Sequence, residues 1–152
     1  MSEKLTGMVD VSAKERTTRV AEAEVRVLAP PELLDRVEKG DTPKGEVIPV
    51  ARAAALMAAK STHLVFPHCH PLDLSCVELS FEREPGALRV VSRVTALERT
   101  GVEMEALYAA SVAALTIYDM AKFAGLQIRV DGLGLILKRG GKSDFARSAS
   151  RP

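Results

Sequence analysis

Two charges interrupt the most apolar stretch of the chain. Asp119 and Lys122 fall near the close of TGVEMEALYAASVAALTIYDMAKFA, residues 100–124. Three positions apart on a helix, they share a face with Met104, Tyr108 and Leu115. Burying two charges is costly unless they are paired or used, so they are either a core ion pair or working groups. Kept partly dry, the pair would let Lys122 drop toward a useful acid or base pKa. A second set lies in FPHCHPL, where Pro67 and Pro71 hold His68, Cys69 and His70 on a stiff, extended loop. Imidazole and thiolate suit zinc, yet neighbouring residues point apart and no second pair stands at finger-like spacing. Phosphate binding by the rings and loop amides fits as well, and the ordinary alternative is a polar loop with one buried cysteine. Gly141, Lys142 and Ser143 imitate the end of a phosphate loop, but Ile136 stands where its first glycine would fall and no helix follows. What remains is a flexible glycine pair whose lysine can close over an anion.

These groups need elements to hold them. Thr100 and Glu103 have the spacing of a capping box, which predicts a helix from near Gly101 to Phe123, apolar almost all round and therefore in a core. Glu103 is accounted for by capping; Glu105 has no such duty and is free to orient a polar ligand or a lysine. Upstream, residues 19–28 alternate as a half-buried strand, and residues 32–39 fit a short helix between Pro31 and Gly40. The turn-rich TPKGE leaves Lys44 exposed, and Pro49 sits in the first turn of an alanine-rich helix expected to end near Lys60. Residues 74–97 read as one long hairpin turning at Pro85 and Gly86. Residues 126–130 and 133–138 read as two short strands around Asp131 and Gly132, and the polar stretch from Gly140 on as loose. The order predicts an α+β, ferredoxin-like plan: a mostly antiparallel sheet with helices packed on one face. The expected organisation is a mobile arm at 1–16, a single catalytic domain at 17–145 and a tail at 146–152.

Composition narrows the classes. With 152 residues, 47% of them hydrophobic, the chain supports one domain with a real core. A net charge of +1 and 4% aromatics argue against nucleic-acid binding by a basic surface or a stacking platform, so any anion site is local. The uncharged run 106–118 is too short for a membrane span. Cys69 and Cys76 are the only cysteines, and with no signal-like N-terminus a reducing cytoplasm is expected. The long helix is apolar on more faces than one small sheet can cover, which predicts association with another subunit.

MVDVSAK (8–14), PKGE (43–46), AAK (58–60), CHPL (69–72), TGVEMEAL (100–107), AASVAALTIYDMAK (109–122) and GGKSD (140–144) occur in order and at consistent spacing. Through them the chain resembles the molybdenum cofactor biosynthesis protein C family, the cyclic pyranopterin monophosphate synthases, over residues 8–145. The resemblance implies a lyase that rearranges a cyclised dihydro derivative of GTP to cyclic pyranopterin monophosphate and releases pyrophosphate. It also implies a ferredoxin-like fold and a homohexamer built as a trimer of dimers with sites where subunits meet. No resident cofactor is expected, and whether Mg²⁺ accompanies the substrate phosphates is left open by the sequence. By motif, Asp119 and Lys122 are the acid and base, with Lys44 a further essential lysine. His68, Cys69 and His70 match the substrate-binding loop, Met104 and Glu105 a second binding segment, and Arg19, Lys60, Glu103 and Lys142 fall in or beside the pocket. Ala55, Ser61 and His68 depart from the usual Gly, Arg and aliphatic residue. A noncatalytic oligomeric carrier of a nucleotide triphosphate and a zinc hydrolase built on the His68 to His70 loop are the alternatives from other classes.

Overall fold

Alternation of small or branched apolar residues with charged ones builds the sheet. The computed structural model describes residue 4 and residues 7–148. Strand β1 (Thr17–Leu28) is followed by α1 (Pro31–Lys39), α2 (Val47–Val65), the hairpin β2 (Leu74–Glu84) and β3 (Ala87–Glu98), α3 (Glu103–Ala121), a 3-10 turn (Lys122–Ala124), β4 (Arg129–Arg139) and β5 (Phe145–Ala146). The sheet order is β2-β3-β1-β4-β5, every pair antiparallel. Its first four members form the ferredoxin-like arrangement expected from the order of elements. On β1, Ala21, Ala23, Val25 and Val27 turn toward the helices, and on β3 Leu88, Val90, Ser92, Val94 and Ala96 do the same. The opposite face is laced with ion pairs, among them Arg93 with Glu22 and Glu24 with Arg89 and Arg147.

Helices α2 and α3 meet through short side chains. Ala51, Ala55, Ala58 and Ala59 of one and Ala106, Ala109, Ala110, Ala113 and Ala114 of the other are all buried. Ser92, fully buried in β3, donates its hydroxyl to the Ala106 carbonyl at 2.5 Å and ties the first turns of α3 to the sheet.

Several local expectations are corrected. The capping box does not form: Val102 occupies the cap position without a side-chain bond, and Glu103 is drawn instead to the Lys138 ammonium at 2.7 Å. A full charge outcompetes a backbone amide. Helix α2 continues past Lys60 to Val65, and within this last stretch Ser61 and Thr62 fold their hydroxyls back onto carbonyls one turn earlier. It stops at Phe66, which Pro67 holds extended. Residues 133–138 are not a separate strand. Gly132 takes φ +70° inside β4, so the chain passes the Asp131 and Gly132 pair as a bulge and keeps its pairing with β1. Residues 145–146 pair with Leu137 and Lys138, so the stretch after Gly140 is tied to the sheet through residue 147. The remainder of the tail and residues 1–3, 5 and 6 of the arm lie outside the described residues.

The turn that makes this possible is tight. Gly140 has φ +92°, and a Cβ there would collide with the Thr18 backbone. Gly140→Ala is expected to cost roughly 2 kcal/mol or more of stability in urea denaturation, since a left-handed conformation and a backbone clash add.

Candidate active site

Two cavities open side by side at the N-terminal end of α3. The first, about 290 Å³, is lined by His68, Cys69 and His70, by Glu103, Met104 and Glu105, and by Val9, Val11 and Lys14 of the N-terminal arm. The second, about 520 Å³, is lined by Arg19, Lys138, Gly140, Gly141 and Lys142. Lys14, Thr100 and Gly101 belong to both, so the cavities adjoin at these residues. Together they have the size of a small-molecule site.

Each wall has a local cause. The histidine loop expected to be extended instead turns at Pro67 and His68, where the Cys69 amide donates to the Phe66 carbonyl at 3.0 Å. Arg19 leaves β1 and spends its guanidinium on the carbonyls of Glu98 and Arg99, at 3.2 and 3.0 Å. The Lys138 and Glu103 pair joins the two cavities. Lys138 was missed by sequence reasoning because a lysine alternating along a strand looks like any solvated one. Its nearness to GGK was the only signal. Lys60 stands exposed on α2 and lines neither cavity.

The other predicted residues gather elsewhere. Asp119 accepts from Lys122 through Oδ1 at 2.8 Å and from Lys44 through Oδ2 at 2.6 Å. Lys44 is presented by a turn in which Thr42 and Gly45 bond each other. Asp119 and Lys122 are about half exposed, not dry, and Leu115 on the same stripe is 59% exposed. The stripe expected in the core is the face of α3 that the sheet and α2 leave uncovered. Fifteen residues separate Met104 from Asp119, a rise of about 22 Å along a helix, so one chain does not bring the trio to the cavities.

Comparison with known proteins places this geometry. The family described as MoaC family matches residues 8–141. A cyclic pyranopterin monophosphate synthase from Trichlorobacter lovleyi is 47% identical over 142 residues, covering 92% of this chain and 89% of its own length. Proteins of the same name from Corynebacterium efficiens and Methylobacterium nodulans are 46% and 47% identical, covering 90% of this chain and 88% and 86% of theirs. The chain belongs to the MoaC family.

The electrostatics of this MoaC-family site differ at the two ends of α3. Hydrogen bonds from Lys122 and then Lys44 hold the Asp119 carboxyl down at about 2, and the same bond from Asp119 raises Lys122. The downward shift expected for Lys122 is thus reversed in the single chain, because an ion pair favours both charged forms. Glu105 goes the other way: only 4% exposed, its carboxyl is pushed by burial to about 7, with a smaller push from Glu103. Burial, then Glu105, raises the Cys69 thiol, so this cysteine is a poor thiolate. Among the described residues no three His, Cys, Asp or Glu side chains come together as a metal-binding group. Among the described residues no helix is long and apolar enough to cross a membrane.

Glu105 carries a measurable consequence. The folded carboxyl holds its proton more tightly than the unfolded one, so its contribution is complete below 4.5 and lost as pH rises through about 7. The loss is on the order of 3 kcal/mol. Glu105→Gln is expected to flatten the fall of stability across neutral pH, read by denaturation at a series of pH values.

Proposed function

We propose that this chain is a cyclic pyranopterin monophosphate synthase, a lyase of molybdenum cofactor biosynthesis acting on the cyclised dihydro derivative of GTP. The observation that carries the reading is convergence. Of the nine residues expected to bind substrate, eight line two adjoining cavities of unlike character: His68, Cys69, His70, Glu103, Met104 and Glu105 in one, Arg19 and Lys142 in the other. The first cavity, with a buried carboxyl and polarisable walls, suits a heterocycle rich in N–H groups. The second, with Arg19, Lys138 and Lys142, suits the phosphates.

Rearranging a purine into a pterin is proton traffic. Lys122, charged and hydrogen-bonded, is the proton donor; Asp119, ionised, aims Lys122 and Lys44. In forming the cyclic phosphate, a substrate hydroxyl oxygen bonds to the retained phosphorus, the bond to pyrophosphate breaks, and the hydroxyl proton passes to a base. Pyrophosphate leaves with the electron pair, and cations in the second cavity neutralise it. Any Mg²⁺ travels with the phosphates, and the protein supplies no resident cofactor. The free thiols Cys69 and Cys76 fit a cytoplasmic setting.

A second copy completes the site. For Asp119 of one chain to meet Met104 of another across a two-fold axis, the axis must cross α3 midway between them, beside Ser111, with the two helices antiparallel. That face carries exposed Leu115, and neighbouring α2 adds Val50, Met57 and Leu64, the last 76% exposed, spaced at two-turn intervals. Three such dimers give the hexamer.

Lys122→Ala is expected to leave the fold intact and abolish pyrophosphate release; a variant that keeps most of its turnover would overturn the assignment. Co-expressing Lys122→Ala with His70→Ala chains should restore about a quarter of wild-type activity, because half the dimers hold one intact site of two. No recovery, or a monomer in sedimentation at micromolar concentration, would reject the shared site.

A further inference from the structure

The N-terminal arm is built into the first cavity. His68 Nδ1 lies 3.0 Å from the Gly7 carbonyl, and His70 Nε2 lies 2.8 Å from the Val9 carbonyl. A carbonyl only accepts, so each of these ring nitrogens carries a proton. Further on, the Ser12 amide donates to Asp10 Oδ1 at 2.9 Å and the Lys14 amide to the Val11 carbonyl at 3.0 Å. Arg99 Nε then donates to the Lys14 carbonyl at 3.1 Å. Lys14 is therefore fixed at its backbone from both sides.

Its position is specific. Of the three residues that line both cavities, Lys14 alone is charged. The second cavity holds four cations and one acid, Glu15. Arg19 is committed to two carbonyls and Lys138 to Glu103. Lys14 and Lys142 have no hydrogen-bonding or acidic side-chain partner among the described residues, and they are the ammonium groups left for an anion. A ligand with its ring in the first cavity and pyrophosphate in the second must pass its innermost phosphate through the join.

We propose that Lys14, carried on the arm that His68 and His70 clasp, is a further substrate-binding residue that holds the phosphate retained in the product. The assignment rests on the synthase reading above and divides the two lysines left for an anion by role: Lys142 faces the pyrophosphate that leaves, and Lys14 the phosphorus at which the ring closes. His68 acts through the arm as a positioning residue.

The test is steady-state kinetics of the assembled protein on the cyclised nucleotide, with inorganic pyrophosphate as product inhibitor. Lys14→Ala should lower kcat/KM roughly 10- to 100-fold, the range for one lost charged hydrogen bond, while the thermal midpoint stays put. Lys14→Arg should recover most of the loss. The pyrophosphate inhibition constant should be unchanged in Lys14→Ala and weakened in Lys142→Ala. His68→Leu should lower kcat/KM by a smaller factor, and the double variant with Lys14→Ala should be no worse than Lys14→Ala alone. A kcat/KM within threefold of wild type, or pyrophosphate inhibition that weakens as much as kcat/KM falls, overturns the assignment of Lys14. Losses that multiply in the double variant overturn the clasp. A wild-type protein that leaves the nucleotide unchanged fails the synthase reading instead, which separates the two outcomes.

Discussion

Alanine meets alanine along the seam between α2 and α3, and with side chains this short two helices can lie close and leave little room to shift. That seam, with the Ser92 bond to the Ala106 carbonyl, makes α3 a rigid spacer. At one end the spacer presents a buried carboxyl among histidines; at the other it presents a carboxylate clamped between two ammonium groups. The two ends have opposite proton chemistry because burial raises the Glu105 carboxyl while hydrogen bonds from Lys122 and Lys44 lower that of Asp119. No rearrangement within one chain that keeps the seam intact can close a gap of about 22 Å. Catalysis that needs both ends needs a partner.

The same constraint explains what was readable in the residues. The strand alternation, the hairpin at Pro85 and Gly86 and the ferredoxin-like order follow from periods of two and from turn chemistry, which are local properties. The residues that the motifs single out for substrate binding line the two adjoining cavities, except Lys60. What was not legible depends on distant neighbours. Leu115 is apolar and reads as core, but burial is decided by what packs against it, and it stands exposed in the single chain. Glu103 reads as a cap because its spacing is right; Lys138, on the far side of the sequence, claims it instead. Gly132 reads as a turn, and only the presence of β1 alongside makes it a bulge.

The direction of the Lys122 shift teaches a similar lesson. From spacing alone a carboxylate three residues away is compatible with either a dry or a wet pair, and the sign of the shift depends on which. In the structure both groups are half exposed and mutually bonded, so each stays charged.

The margins of the sheet bear on how copies of this chain can associate. Strand β2, at one edge, carries Glu78, Glu82, Arg83 and Glu84, while at the other β5 covers β4 at Leu137 and Lys138 and the Gly132 bulge distorts the remainder. Charged or kinked borders of this kind resist fibrillar cross-β growth. A crowded population of nascent chains is thereby steered away from ladder-like stacking.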